Sequence, residues 1–187
     1  MTKVRKAENT DLDSIEKNYD SIHDGEEKGL TTTGWMRTFY PIRKATRYDL
    51  SRIAEIYVFN NRVNYFPIFK DENFSFGKLQ VISLADQYFG KEEVLKNLYV
   101  YEDGLIKGFA QTEGTEIRKL YVEPFFQSEG IGSSLIEFAI REFHADHLWV
   151  LERNTKAIAF YKRHGFRLTG QKKFEEGTTE YIVKLTR

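Results

Sequence analysis

A glycine-bearing segment between a strand pattern and a helix pattern has the chemistry of an anion site. The first N–H groups of a helix have no partner inside the helix, and the helix dipole adds partial positive charge there. Two glycines remove side chains that would block a close approach, and a serine adds a hydroxyl donor. The segment therefore predicts a helix start that binds phosphate. It consists of Gln127, Ser128, Glu129, Gly130, Ile131, Gly132 and Ser133.

Other interpretations of this segment can be compared residue by residue. A P-loop places Lys directly after its last glycine, where this chain has Ser133. A dinucleotide fingerprint requires a third glycine, where this chain has Leu135. Both nucleotide motifs are therefore excluded. An ordinary helix start that happens to contain glycines remains the alternative.

A second helix pattern carries a phenol at a position suited to acid chemistry. Asn154 is a favoured N-cap residue, and the pattern ends at His164-Gly165, where glycine suits the C′ position. Tyr161 lies in the last turn. A phenol close to a leaving group can protonate it, and a core aromatic beside Phe160 is the alternative interpretation.

The elements that must position these residues follow from hydrophobic periodicity and turn signals. Their order predicts an α+β fold (mixed α/β), with a largely antiparallel sheet covered by helices. Asp49 is predicted to cap the first helix, and the aromatic stretch 61–80 is predicted to be irregular. Strands are predicted at 42–45, 98–101, 105–111, 115–122, 147–151, 166–174 and 179–185, and helices at 49–60, 83–89, 129–143 and from Asn154 to His164.

Composition excludes several classes of function. Lys+Arg and Asp+Glu both number 28, so no overall basic field exists for nucleic acid or an anionic membrane. The chain has no cysteine, which excludes disulfides and thiolate nucleophiles, and its four histidines lack the spacing of a helical metal site. The sequence therefore predicts no metal. It shows neither a membrane-spanning run nor a signal peptide, which predicts a cytoplasmic protein.

The N-terminus contains a partial duplication. Val4-Arg5-Lys6-Ala7 recurs as Ile42-Arg43-Lys44-Ala45, and Asp11-Leu12 recurs as Asp49-Leu50, at a constant offset of 38 residues. Two copies are too few for a solenoid, which needs about three or more repeats. We therefore predict that residues 1–41 are a surplus strand–helix unit fused before a complete domain at 42–187.

Three segments in the same order resemble the GNAT superfamily of N-acetyltransferases. The signature Arg/Gln-x-x-Gly-x-Gly/Ala is filled by residues 127–132, and Asn-x-x-Ala-x-x-x-Tyr-x-x-x-Gly-Phe is filled by residues 154–166. Residues 42–50 resemble the family's first strand and helix, so the similarity covers 42–187. It implies a twisted sheet with helices on both faces and splayed central strands. Residues 22–35 resemble the opening of another branch, which suggests a truncated GNAT N-terminus before the whole domain.

The resemblance implies acetyl-CoA as cosubstrate. In the family, main-chain groups of the strand before the signature bind the pantetheine arm, and the signature's amides bind the pyrophosphate. The family's asparagine binds the pantetheine or a nearby water, so this role and the N-cap role are two open interpretations of Asn154, and they do not exclude each other. By position the pantetheine contacts here are Leu120, Tyr121 and Val122, and the pyrophosphate contacts are Gln127, Ser128, Glu129, Gly130, Ile131, Gly132 and Ser133.

The same resemblance implies direct attack of a primary amine on the thioester, with Tyr161 as the general acid. Glu116 stands eleven residues before Gln127, where histone-type members carry a catalytic base. An exposed strand carboxylate without a catalytic role is the alternative interpretation of Glu116. Glu113 is a weaker rival, and a water chain serves in members without a fixed base. The alternative is a non-catalytic acyl-CoA sensor that retained the fold, and a small nucleotide-binding protein is a third hypothesis.

In this family, the part of the chain that corresponds to residues 62–80 lines the binding site of the acceptor amine. Its aromatic side chains either line an apolar slot or form the core under a long segment, and carboxylates nearby either attract a cationic amine or lie on a solvated face. The identity of the amine stays open, and dimers are common in the family, so a homodimer is one expected state. The residues concerned are Tyr65, Phe66, Phe69, Phe74 and Phe76, with Asp71, Glu72 and Asp86.

Overall fold

The computed structural model describes residues 41–187. The predicted duplicate at 1–41 lies outside the described residues except for Pro41. The seven strands are β1 Ile42–Lys44, β2 Leu98–Asp103, β3 Leu105–Glu113, β4 Glu116–Val122, β5 His147–Leu151, β6 Arg167–Phe174 and β7 Tyr181–Thr186. The α-helices are α1 Leu50–Asn60, α2 Phe66–Phe69, α3 Val81–Leu84, α4 Glu92–Leu95, α5 Ile131–Phe143 and α6 Thr155–Arg163.

The strands form one sheet in the order β1-β2-β3-β4-β5-β7-β6. All neighbours are antiparallel except β4 and β5, which run parallel. The predicted α+β fold with a largely antiparallel sheet is therefore confirmed. No helix in the described part of the chain is long and apolar enough to cross a membrane.

Each face of the sheet is covered by a different helix. On one face, Ile53 and Ile56 of α1 pack with Phe89 and Phe109 in a buried cluster. On the other face, Ile136 and Ala139 of α5 pack with a second cluster that includes Ile117 of β4. The centre of the sheet is thus buried on both faces.

The start of α1 differs from the prediction that Asp49 caps it. The carboxylate of Asp49 makes no N-cap bond to α1. It instead accepts hydrogen bonds from the backbone N–H of Thr46 at 2.6 Å and from the guanidinium of Arg43 at 2.8 and 2.9 Å. Thr46 is the N-cap of the 3-10 turn at Arg47–Asp49. The capping residue is thus Thr46, three residues before Asp49. The two residues form a reciprocal capping box around the 3-10 turn.

The prediction of an irregular stretch at 61–80 is wrong. Asn61–Tyr65 and Asn73–Lys78 form π-helical turns on either side of α2. Arg62 ties the two turns together, because its guanidinium donates to the carbonyls of Ser75 at 3.0 Å and Leu79 at 3.2 Å. These bonds satisfy two carbonyl groups of the long connection. They hold the segment in place although its apolar residues do not repeat with a single helical period.

Gly108 of β3 marks a close approach of backbone and α5. A Cβ at this position would lie 2.9 Å from the carbonyl oxygen of Tyr121 and within 3.3 Å of the side chains of Leu135 and Ile131. We expect Gly108→Ala to lower the free energy of unfolding by about 1–3 kcal/mol through overpacking. Urea unfolding of the full chain measures this change.

The matched control for Gly108→Ala is Gly77→Ala. A Cβ at Gly77 would touch only the side chain of Asn73, at 3.0 Å for the nearest atom, and that side chain can move. Gly77→Ala should therefore leave the unfolding free energy nearly unchanged or raise it. Equal stabilities of the two variants would contradict the tight packing inferred at Gly108.

Candidate active site

The centre of the site is an opening between β4 and β5. The two strands pair only at Glu116–His147 and Ile117–Leu148. Beyond this point β4 continues beside β3 to Val122, while β5 continues beside β7 to Leu151. The strands therefore diverge after Ile117, which confirms the predicted splay of the central strands.

The alternating hydrogen bonds between β3 and β4 show which main-chain groups of β4 face the opening. The N–H of Glu123 donates to the carbonyl of Lys107 at 2.8 Å, so Glu123 faces β3. In an antiparallel pair successive residues alternate between facing the partner and facing away. Tyr121 accordingly faces β3, and Leu120 and Val122 face the opening. Of the three predicted main-chain contacts, these two have groups available to a ligand.

Asn60, at the end of α1, holds the C-terminal end of β4. Its amide donates to the carbonyl of Val122 at 3.0 Å and to that of Ile56 at 2.9 Å, and the residue is 3% exposed. The amide of Gln127 also donates to the carbonyl of Val122, at 3.2 Å. The Gln127 side chain therefore ties the loop back to β4. The opening retains the N–H of Val122 and both main-chain groups of Leu120.

We expect Asn60→Leu to weaken both the fold and the binding of coenzyme A. The change removes the amide that fixes the Val122 carbonyl, and each lost hydrogen bond to a buried group costs about 1–3 kcal/mol. Urea unfolding and calorimetric titration with coenzyme A measure the two effects. Asn61→Leu is the matched control, because the Asn61 amide donates to the carbonyl of Tyr57 in the same way but makes no bond to β4. A coenzyme A affinity that is equal in both variants would contradict this role for Asn60.

The loop before α5 has the backbone of an anion site. Ser128 and Gly130 adopt positive φ angles of 70° and 86°. The first hydrogen bond into the helix runs from the N–H of Ser134 to the carbonyl of Gly130 at 3.0 Å. Within the described residues, the N–H groups from Ser128 to Ser133 have no hydrogen-bond acceptor. These groups and the helix dipole together favour an anion at this position.

Ser133 contacts a residue that sequence reasoning missed. Its hydroxyl lies 3.1 Å from Nε2 of His164, whose Nδ1 lies 2.9 Å from the carbonyl of Phe160. A carbonyl only accepts, so Nδ1 carries the hydrogen, and in the neutral ring Nε2 accepts from Ser133. His164 thus links the last turn of α6 to the first turn of α5. In the sequence, His164 was only part of a helix C-terminus.

Gly132 sets the distance between the same two helices. A Cβ on Gly132 would lie 3.3 Å from the ring of Phe160, which is tighter than most real contacts. The lack of a side chain therefore serves helix packing as well as access to the amides. This contact brings α6, with Asn154 and Tyr161, against the anion loop.

Asn154 caps α6 as its sequence position predicts. Its side-chain oxygen accepts from the N–H of Ala157 at 3.1 Å. The side chain of Asn154 also lies close to the phenol of Tyr65, from the 61–65 turn. The N-cap role is confirmed, and the predicted contact with a pantetheine arm stays a prediction.

Tyr161 is buried, with 8% of its surface exposed, and packs against Phe160 and Phe166. Burial raises the pKa of Tyr161 well above its ordinary value, and the nearby Tyr65 adds to this rise. The phenol therefore keeps its proton at neutral pH. A protonated phenol can donate to a leaving group but cannot act as a base there.

Three further tyrosines form a cluster, and two of them, Tyr65 and Tyr121, interact electrostatically with Tyr161. The hydroxyl oxygens of Tyr65 and Tyr121 are 3.5 Å apart, and the rings of Tyr57 and Tyr121 meet edge to face with centroids 5.1 Å apart. Burial raises the pKa of Tyr121 well above its ordinary range, and the neighbours Tyr65, Tyr57 and Tyr161 contribute. The cluster thus presents neutral hydroxyls beside the opening.

The two predicted carboxylate bases lie at the closed end of the strand pair. Glu116 pairs with Arg118 at 3.2 Å and lies 3.9 Å from Nε2 of His147. Glu113 is 3.5 Å from Arg118 and mostly exposed. Ile117 packs with the α5 cluster, so Glu116, its neighbour on the strand, faces the side of the sheet that α1 covers. A catalytic role for either carboxylate stays a prediction.

The predicted aromatic wall is brought together only in part. Tyr65 reaches the phenol of Tyr121, and Phe66 packs on Phe76 with centroids 5.1 Å apart. Phe74 and Phe76 are 47% and 50% exposed, so they do not form a core. The carboxylates Asp71, Glu72 and Asp86 are also exposed, and Asp71 accepts from the N–H of Phe74 at 2.8 Å. The described residues contain no cluster of acidic or histidine side chains fit to hold a metal ion.

Comparisons with known proteins agree with this architecture. Residues 95–168 match the family model described as an acetyltransferase (GNAT) domain. The peptidyl-lysine N-acetyltransferase YjaB of Salmonella typhimurium is 33% identical over 69 residues, which cover 37% of this chain and 48% of that protein. This chain therefore matches about half the length of that curated relative.

Solved structures extend the likeness in fold to most of the chain. Apo YjaB of Escherichia coli has a TM-score of 0.59 at 21% identity, covering 78% of this chain and 95% of that one. The acetyltransferase yncA of Salmonella typhimurium, solved with its cofactor acetyl-CoA, has a TM-score of 0.56 at 18% identity, covering 78% and 91%. The GNAT domain model matched by residues 95–168, the strand order and the splayed β4–β5 pair agree with one another, and together they support the predicted GNAT resemblance.

Proposed function

We propose that this protein transfers an acetyl group from acetyl-CoA to a primary amine. The observation that supports the proposal is a set of three features on β4, on the loop before α5 and on α6, two helices that meet at Gly132 and Phe160. They are the main-chain groups of Leu120 and Val122 that β5 leaves unpaired, the acceptor-free N–H groups from Ser128 to Ser133, and the buried phenol of Tyr161. Neighbours of the same fold were solved with acetyl-CoA or coenzyme A.

In this proposal the loop before α5 holds the pyrophosphate. The N–H groups from Ser128 to Ser133 supply donors, and the helix dipole stabilises the two negative charges. Gln127 contributes by fixing the loop to the end of β4, since its amide already donates to the carbonyl of Val122. The N–H of Val122 and the carbonyl of Leu120 then hydrogen-bond the pantetheine arm, as an added strand would.

Tyr161 acts on the leaving group. The amine lone pair attacks the thioester carbonyl, a C–N bond forms and the C–S bond breaks. The sulfur then accepts the proton of the Tyr161 phenol, which burial keeps in its protonated form. The nitrogen releases one proton to solvent as the amide forms, and the phenolate of Tyr161 takes one proton back from solvent. The N–H of Leu120, next to the point where the strands diverge, is placed to donate to the carbonyl oxygen as charge develops on it.

The proton of the attacking ammonium must also leave, because primary amines are largely protonated at neutral pH. Glu116 lies on the same face of β4 as Tyr121, which supports it as the base. Its ion pair with Arg118 at 3.2 Å opposes this role, because the carboxylate is already engaged by a guanidinium. A water chain along the tyrosine hydroxyls is the other route within the same proposal.

Two measurements on the full chain test the proposed function. Calorimetric titration with acetyl-CoA tests binding, and release of free thiol in the presence of an amine panel tests turnover. The panel contains amino acids, diamines, an aminoglycoside, a peptide N-terminus and a lysine-containing peptide. The last is included because a relative is named a peptidyl-lysine N-acetyltransferase. Absence of acetyl-CoA binding would overturn the proposal, and tight binding without turnover on any amine would favour the acyl-CoA sensor.

A further inference from the structure

A lysine of β4 lies between two tyrosine rings on the face of the sheet that α1 covers. The ammonium of Lys119 is 4.8 Å from the ring centroid of Tyr88 and 5.6 Å from that of Tyr57. Lys119 directly precedes Leu120, whose main-chain groups face the opening. The ring of Tyr57 in turn contacts Tyr121, so the ammonium is one ring away from the tyrosine cluster beside Tyr161.

The position of this ammonium is built into the sheet. Lys119 pairs with Gln111 of β3, which is 6% exposed and accepts a hydrogen bond from the phenol of Tyr88 at 3.3 Å. Tyr57 is fixed by edge-to-face contacts with Phe89 and Tyr121. Both rings that frame the ammonium are therefore held by other residues, and the side chain of Lys119 has few alternative positions.

The charge of Lys119 is not matched by a carboxylate within residues 41–187. The ion pairs of these residues engage other lysines, among them Lys107 with Asp103 and Lys172 with Glu152, but none includes Lys119. Aromatic faces stabilise a cation without neutralising it. Lys119 as a whole residue is half-buried. Such a cation attracts an anion more strongly than a fully solvated one does.

The tyrosine cluster is also influenced by one negative charge. Burial raises the pKa of both Tyr57 and Tyr65, and the carboxylate of Glu175, in the connection between β6 and β7, adds a smaller part to each rise. The hydroxyl oxygens of Tyr65 and Tyr121 are 3.5 Å apart. The charge of Lys119 lies against the rings of Tyr88 and Tyr57 of this face.

We propose that the acceptor is an amine that also carries an anionic group, and that Lys119 binds that group. A free amino acid, an ω-amino acid or a peptide with a carboxylate near its reactive amine has this chemistry. A polyamine is disfavoured, because its second ammonium would meet the charge of Lys119. This inference rests on the proposed acetyl transfer and names the class of its acceptor.

A set of amines of equal length tests the charge preference. The set comprises 4-aminobutyrate, 4-aminobutanamide, butylamine and 1,4-diaminobutane, whose far ends are anionic, neutral polar, apolar and cationic. We expect kcat/KM to be highest for 4-aminobutyrate and lowest for 1,4-diaminobutane. A second set from glycine to 6-aminohexanoate, together with a dipeptide, locates the preferred spacing between amine and carboxylate.

Substitution of Lys119 tests the assigned residue. Lys119→Met keeps an unbranched apolar side chain over the rings but removes the charge. It should lower kcat/KM for the best carboxylate acceptor roughly 10- to 100-fold, as loss of one charge-assisted hydrogen bond does, and should barely change that for its neutral analogue. Lys119→Arg should restore much of the preference. Lys44→Met, at an exposed position of β1, is the control for removal of one surface charge.

The outcomes separate this inference from the proposed function. If turnover occurs but favours neutral or cationic amines, or if Lys119→Met slows all acceptors equally, the charge preference is overturned and acetyl transfer stands. If no amine turns over, calorimetric binding of the same amino acids to the protein saturated with coenzyme A decides. Binding that Lys119→Met abolishes would retain the anion site without the proposed function, and absence of binding would overturn both.

Discussion

Replacement of Tyr161 by Phe is expected to lower kcat for acetyl transfer by about 10²- to 10⁴-fold, the usual contribution of a positioned general acid. The affinity for coenzyme A and the stability of the fold should change little. Phe fits the same surroundings, which are the rings of Phe160 and Phe166. The variant therefore removes the proton donor and leaves the packing of α6 in place.

The pH profile adds a second readout for Tyr161. Burial raises the pKa of this phenol above its ordinary value, so the acid form is fully present below pH 10 and is lost only above that. The wild-type rate should therefore show no alkaline decline from this group between pH 6 and 9. Tyr99→Phe is the control, because Tyr99 packs on Phe138 and Phe143, away from the opening. A kcat of Tyr161→Phe equal to that of Tyr99→Phe would remove Tyr161 from the mechanism.

The second large effect concerns Gly130. This residue has a φ angle of 86°, which a β-branched side chain strongly disfavours. We expect Gly130→Val to turn the loop and withdraw N–H groups from the anion. The dissociation constant for coenzyme A should then rise at least about 100-fold, which corresponds to two charge-assisted hydrogen bonds of about 1.5 kcal/mol each. Calorimetric titration measures the affinity, and urea unfolding measures the accompanying loss of stability.

Gly114→Val separates backbone strain from ligand binding. Gly114 lies in the turn between β3 and β4, at the closed end of the strand pair, with a φ angle of 57° and no atom within 4 Å of an added Cβ. The Gly114→Val variant should lose about as much free energy of unfolding as Gly130→Val, about 1–2 kcal/mol for a residue in the left-handed region. It should keep its affinity for coenzyme A. If both variants bind coenzyme A as the wild type does, the loop before α5 is not the pyrophosphate site.

Local patterns were sufficient for the elements that surround the site. The strand before the glycine segment, the helix after it, the cap at Asn154 and the strand that follows α5 were all predicted and are present. Each depends on residues within a few positions of one another. A glycine in the left-handed region or an asparagine that accepts from the N–H three residues later leaves its signature in that short window.

The region 61–80 shows where local patterns fail. Its aromatic residues follow no simple helical period, because π-helical turns interrupt the α-helical repeat. What orders the segment is the reach of Arg62 to carbonyls 13 and 17 residues away. An exposed arginine and this one look alike in the sequence, so the prediction of an irregular stretch had no signal to correct it.

The sequence by itself determined the glycine-bearing loop before α5, the place of the phenol on α6 and the order of strands along the chain, and it indicated the GNAT resemblance, since these depend on motifs and short-range backbone preferences. Only the tertiary structure showed that Asn60 holds Val122 from 62 residues away, that His164 contacts Ser133, and that Lys119 lies between Tyr57 and Tyr88. Such contacts join side chains from distant elements. The packing of the helices on the sheet decides which side chains meet, and the residues adjacent in sequence do not indicate the partner.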